Sequence, residues 1–262
     1  MRVKLNIFEI SNIIRVTDYG ASCPLEVSIK DNSKFILKTK YNSVCGTGKS
    51  LFAELFSYLY LQELNFKDIP SIALLNIDDD FIKLADNKLK NGTQRDREAL
   101  ENIKNSKGLN LGISYIFNAS KIYPKELTNK FKNYTCLYDG ILMNSDREFK
   151  NPNILINDLK KIFLIDFGLA FDILKALDII LDDEINSNQY FDKNTFDKDY
   201  LLLDHLKQIK INEKKLNCQE ILDIINAIPL EWLSLTSAQK QALSNMIYKR
   251  QGQKAVYSYE NV

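Results

Sequence analysis

Two aspartates and two asparagines in the middle of the chain have the types and spacing to do chemistry. Asp146, Asn151 and Asn153 lie in Asn144-Ser145-Asp146-Arg147-Glu148-Phe149-Lys150-Asn151-Pro152-Asn153, and Asp166 opens Asp166-Phe167-Gly168. Apolar runs at 154–156 and 163–165 adjoin them, so a hairpin of 153–156 against 162–165 predicts Asp146, Asn153 and Asp166 at one edge. Phosphoryl transfer from a nucleoside triphosphate asks for such a set: a carboxylate to take a hydroxyl proton, hard oxygens for Mg²⁺, and a cation on the phosphates. A plain polar turn before a hairpin would use some of the same residues, because Asn, Asp and Pro are ordinary turn formers. The combination favours chemistry: Asp-x-x-x-x-Asn, then an apolar strand running into Asp-Phe-Gly.

These residues need a scaffold and a cation, and the N-terminal part offers both. Strand-like runs at 13–17, 25–30 and 35–38 are separated by Tyr19-Gly20-Ala21-Ser22-Cys23-Pro24 and Asp31-Asn32-Ser33, which predicts a three-stranded meander. Gly20, Ala21 and Ser22 then fall where kinases place a phosphate-covering loop, and Lys38 where they place a phosphate-binding lysine. Lys40 competes with Lys38, since alternation points both the same way. The predicted helix at 51–61 is uncharged except for Glu54, whose burial is economical only beside a cation. A Lys38–Glu54 ion pair answers that need, with a solvent-facing Glu54 as the alternative. Ser43-Val44-Cys45-Gly46-Thr47-Gly48-Lys49-Ser50 imitates a P-loop but has serine where the first glycine belongs, and no clean strand precedes it.

Further along, 72–77 reads as a strand with Asp78, Asp79 and Asp80 as its solvated end, and 85–110 as a polar loop or exposed helix. Residues 111–117 resemble a strand entering a hinge. Leu127, Phe131, Tyr134, Tyr138 and Ile141 have the period of an amphipathic helix that delivers the Asp146 stretch. Helical patterns follow at 173–181, 200–209, 218–225 and 237–248, with Asn217 and Ser237 as N-caps. Trp232 reads as a core anchor, and the single histidine, His205, as a packed or surface residue. At 262 residues with 45% hydrophobic and 26% charged residues the chain is globular, and a net charge of +1 gives no support for a nucleic-acid or membrane-surface partner. Cys23, Cys45, Cys136 and Cys218 lack metal-ligand spacing, and no run is long and apolar enough to span a membrane, so a cytoplasmic setting is expected.

The residues Asn144-Ser145-Asp146-Arg147, Asn151-Pro152-Asn153 and Ile165-Asp166-Phe167-Gly168 resemble the HipA-like kinases, bacterial Ser/Thr kinases that include persistence toxins. The likeness runs from about 13 to 171 and is greatest to compact members lacking the extra N-terminal subdomain. As in that group, Arg147 follows the aspartate instead of preceding it. The resemblance implies an α+β, bilobal kinase fold, with 1–118 as a small β-rich lobe and 119–262 as a mainly helical one. It implies ATP, Mg²⁺ and a Ser/Thr acceptor on a protein, with Asp146 as base, Asp166 as metal ligand, Lys38 on the phosphates and Glu54 as its partner. Asn153 is the favoured second metal ligand and Asn151 the alternative. An antitoxin or operon partner and autophosphorylation at Ser22 also follow from the family. Glu148 stands near the place of a histidine the family often carries. A phosphoinositide-type lipid or small-molecule kinase shares the Asp-Arg order, and an inactive nucleotide-binding module is the non-enzymatic alternative.

Overall fold

The computed structural model describes residues 4–42, 48–144, 146–147, 151–172 and 214–251. The expected helices at 173–181 and 200–209, His205, Glu148 and residues 43–47 of the P-loop-like stretch lie outside them.

Strands β1 (Ile7–Val16), β2 (Leu25–Ile29) and β3 (Lys34–Lys38) form the expected antiparallel meander. The β2–β3 turn works because Asn32 accepts a left-handed backbone (φ 66°) and Asp31 Oδ1 accepts the Ser33 amide at 2.8 Å. Register shifts between Ile10 and Asn12 and between Ile13 and Arg15 bend β1. Its start thereby pairs in parallel with β4 (Ile72–Ile77) while its end stays on β2. Strand β5 (Gly108–Ser114) pairs with both β3 and β4 and closes a barrel in the order β1-β2-β3-β5-β4. It begins before the expected 111–117 strand and ends before Tyr115.

Strand alternation gives the barrel two apolar faces. Leu25, Val27, Leu37 and Leu75 share one buried cluster with Phe81, Ala85 and Leu89 of α2 (Asp79–Leu89) and with Ala99, Leu100 and Ile103 of α3 (Gln94–Lys104). The expected polar loop or exposed helix at 85–110 is thus corrected to two capped helices that cover the barrel. Asp78 ends β4 in the sequence sense but also caps α2 by accepting the Phe81 amide, and Thr93 with Asp96 forms a capping box on α3. Leu74, Leu111 and Ile113 pack instead with α1 (Lys49–Glu63), whose residues 51–61 are all buried. Gly48 precedes α1, and a Cβ there would stand 2.5 Å from the Trp232 carbonyl oxygen, so this glycine is required for close backbone approach.

The second sheet consists of β6 (Ser120–Lys121), β7 (Ile154–Ile156) and β8 (Ile162–Leu164). The last two make the expected hairpin, with Ile154 opposite Leu164. Helix α4 (Asn129–Leu142), capped by Thr128, leads into it and ends at Met143 in the left-handed region (φ 50°). Helix α5 (Cys218–Ala227) starts on the expected Asn217 cap. The cap of α6 (Ser237–Arg250) is Thr236 and not Ser237, because Gln239 then sits three residues on and closes a capping box. The C-terminal part is tied to the barrel by Trp232, 4% exposed, whose Nε1 donates to Leu109 O at 2.6 Å, and by Glu231, whose Oε1 accepts the Leu109 amide at 2.6 Å. Replacing Trp232 by alanine should cost about 3–5 kcal/mol in urea unfolding. Trp232→Phe, which keeps an aromatic ring of smaller size and loses the N–H, should cost about 1–3 kcal/mol, and equal losses for both variants would contradict this anchor.

Candidate active site

The site begins with a cation placed by strand alternation. Lys38 leaves β3 on the side of Ile36, which packs against the α1 cluster, and there meets Glu54. Its Nζ donates to Glu54 Oε1 at 2.7 Å, to Glu54 Oε2 at 2.8 Å and to Asp166 Oδ1 at 2.8 Å. Glu54 is 1% exposed, so the solvent-facing alternative is excluded. Lys40, past the strand's end, donates to Lys107 O at 2.6 Å and pairs with Glu231 at 3.3 Å. One ammonium therefore sits between two carboxylates. Attraction to Asp166 and Glu54 outweighs the opposing effect of burial and raises Lys38 above the ordinary lysine value. Asp166 is held below the usual carboxylate range by Lys38. Burial pushes Glu54 up to about 7, against the pull of Lys38 and with the Asp166 charge adding to the shift.

Arg147 carries the hairpin that brings Asp166 here. Its side chain is fully buried, with Nε donating to Asp139 Oδ2 of α4 at 2.7 Å. Its Nη1 donates to the carbonyls of Pro152 at 2.8 Å, Asn153 at 2.7 Å and Ile165 at 3.3 Å. Both strands of the hairpin are thus held at their site ends by one guanidinium. Asn153 and Asp166 adopt left-handed backbones there (φ 48° and 61°), a conformation short polar side chains tolerate. Phe167 follows, buried between the Arg147 guanidinium (5.1 Å) and the Tyr58 ring on α1, with which it makes a T-shaped pair (centroids 5.3 Å apart). Asn153 Nδ2 donates to Asp146 Oδ2 at 3.2 Å. Partial burial raises the Asp146 carboxyl, and the Asp166 charge raises it further.

Lys38, Glu54, Asp146, Asn153 and Asp166 are accordingly brought together. Asn151 is placed otherwise: its Oδ1 accepts from Lys121 Nζ at 3.3 Å. Gly20, Ala21 and Ser22 lie in the β1–β2 turn, at the same barrel end as Lys38, because Leu25 is paired with Leu37. The role of Asp139 is not anticipated from sequence, although the clue that finds Glu54, an acid on an apolar helix face, applies to it equally. Asn144 Nδ2 donates to its second oxygen at 2.8 Å, so this buried carboxylate is satisfied at both oxygens.

A family model described as HipA-like kinase matches residues 10–256. The chain belongs to the HipA-like kinase family. Among solved structures, the crystal structure of the Golgi casein kinase matches this chain with a TM-score of 0.50 and 12% identity, covering 94% of this chain and 73% of the other. At that identity the likeness shows the fold alone, a kinase-like one of mixed α/β content. No curated protein matches the chain.

For this kinase the raised Glu54 carboxyl has a measurable consequence. A carboxyl whose folded value lies above its unfolded one binds more protons in the native state, so its contribution to stability falls as pH rises from 4.5 to about 7. The stability of the wild type relative to Glu54→Gln should therefore drop across that window by at most about 3 kcal/mol. Denaturant titrations of both proteins at several pH values read this directly, and a pH-independent difference would mean that Glu54 stays charged throughout.

Proposed function

We propose that the chain is an ATP- and Mg²⁺-dependent kinase that transfers the γ-phosphoryl group to a serine or threonine hydroxyl of a protein, with 1–118 and 119–262 as its two lobes. One observation carries this reading: the Lys38 ammonium is held between Glu54 and Asp166, beside the Asp146–Asn153 pair. In this reading Lys38 neutralises phosphate oxygens and Glu54 keeps it aimed. Asp146 accepts the proton of the acceptor hydroxyl as its oxygen bonds to phosphorus and the bond to the ADP oxygen breaks. The turn of Gly20, Ala21 and Ser22 covers the triphosphate.

The donor set suits magnesium. Asp166 and Asn153 offer hard oxygens, and because Asn153 commits Nδ2 to Asp146, its Oδ1 is left as an acceptor. One ammonium here faces three carboxyl groups, so a triphosphate needs divalent cations to enter. Asp166 and Asn153 would hold them, and the bound metal supplies positive charge to the phosphates. A cytoplasmic location for the chain and an antitoxin or operon partner belong to the same proposal. No helix among the described residues is long and apolar enough to cross a membrane.

Three variants test the roles. Asp146→Asn should bind Mg-ATP nearly as the wild type does and lose about 10²- to 10⁴-fold in turnover. Asp166→Asn should weaken metal-dependent nucleotide binding, and Lys38→Met should abolish ATP binding where Lys49→Ala keeps most of it. Calorimetry and labelled-phosphate transfer measure both quantities, and wild-type transfer by Asp146→Asn together with Asp166→Asn would reject the assignment.

Self-modification is proposed at Ser22 in the covering turn, with Ser43 and Ser50 as the alternatives. A phosphate there adds nearly two negative charges beside the triphosphate and should expel the turn. Peptide mapping after incubation with Mg-ATP is expected to find phosphoserine at Ser22 in the wild type and none in Asp146→Asn, and Ser22→Asp should be inactive. A fully active Ser22→Asp variant would refute the mechanism.

A further inference from the structure

The β1–β2 turn is gripped from behind by a residue that the site chemistry does not use. Arg95, in the first turn of α3, donates from Nε to Thr17 O at 2.6 Å and from Nη2 to Tyr19 O at 2.8 Å and Gly20 O at 2.5 Å. Asn102, two turns along the same helix, adds a bond to Ser22 O at 3.3 Å. A cation in a first helical turn opposes the helix dipole, so Arg95 is poorly placed for α3 itself. Its position is explained by the three carbonyls.

Holding those carbonyls decides where the amides point. In a trans peptide the C=O of one residue and the N–H of the next lie in one plane and point oppositely. With the Thr17, Tyr19 and Gly20 carbonyls turned to α3, the N–H groups of Asp18, Gly20 and Ala21 are turned away from it. Residues 18–21 are exposed, and Gly20 takes the left-handed backbone (φ 83°) that lets neighbouring amides converge. Successive amides aimed to one side form an anion-binding concavity. The turn also closes on itself, with the Thr17 amide donating to Pro24 O at 2.9 Å and the Cys23 amide to Gly20 O at 3.3 Å. It stands at the barrel end that carries Lys38.

We infer that Arg95 is a positioning residue for the nucleotide: by fixing three carbonyls of the β1–β2 turn it presents that turn's amides to the phosphates. The inference rests on the kinase reading above. Only the forked donors of arginine span three carbonyls, and a lysine in its place holds one point at a time.

The test uses the full chain with Arg95→Ala and Arg95→Lys, and Arg97→Ala as the control on the same helix, since Arg97 donates to Gly92 O and not to the turn. Without nucleotide, Arg95→Ala should raise hydrogen exchange at residues 18–22 while α3 stays protected. With Mg-ATP it should weaken binding by about tenfold, with Arg95→Lys intermediate and turnover at saturating ATP within about twofold of the wild type. A higher KM with retained kcat separates positioning of the nucleotide from general loss of structure, and Arg95→Lys serves where the alanine variant does not fold. Unchanged exchange and unchanged affinity in Arg95→Ala would overturn the inference and leave the kinase reading standing. A wild-type chain that binds no Mg-ATP would sink the kinase reading and this inference with it.

Discussion

The Lys38 ammonium, shared between Glu54 and Asp166, joins three parts of the chain that are remote in sequence: the third barrel strand, helix α1 and the turn after β8. Helix α1 is buried along 51–61, and Glu54, the single acid of that stretch, would be costly there without a cation. Lys38 therefore permits 51–61 of α1 to be buried throughout although that stretch carries Glu54. It also fixes the register between barrel and hairpin, since moving either by one residue would turn Lys38 away or withdraw Asp166. Phe167 and Phe171 then fall against Tyr58 and Phe56 of α1, at 5.3 and 5.1 Å, so the apolar contacts follow from the polar one.

Strain marks the same region. Met143, Asn153, Asp166 and Phe171 all have positive φ, and each lies where the chain reverses near the site. Asn153 and Asp166 tolerate this through their side-chain chemistry. Met143 and Phe171 do not, and both are buried, at 6% and 0% exposure, so surrounding packing holds them in place. Regular strands and helices would aim these carboxyl and amide groups apart, whereas the sharp turns aim them at one point.

Local signals made much of this legible from sequence. Alternation and turn residues located the hairpin and β4, and an isolated acid in an apolar helix predicted the Lys38–Glu54 pair. Non-local pairing was not legible: nothing in Ile7 to Glu9 announces a parallel partner in Leu74 to Asn76, and the barrel closes only through it. Helices α2 and α3 were obscured because each offers the core a stripe of only three or four buried residues amid Lys, Asn, Asp and Arg. Arg147 was visible in the motif, but its work was not, because backbone carbonyls have no sequence signature.

Arg147 and Arg95 solve the same physical problem in two places. A phosphate site needs carboxylates and amides converging on one volume, and backbone direction is most economically set by holding carbonyls on the opposite side. Each guanidinium fixes three, Arg147 beneath the hairpin and Arg95 behind the β1–β2 turn. A guanidinium suits this because its donors are planar, forked and charged at every accessible pH. Arg147 is neutralised by Asp139, and Arg95 faces carbonyls on the far side of its turn, so in the proposed reading neither would be aimed at the phosphates as a charge. Orientation and electrostatics are thereby carried by different residues. In the proposed kinase reading, Lys38 is the cation poised between carboxylates, where a metal-bound phosphate would compete for it without disturbing what holds the backbone.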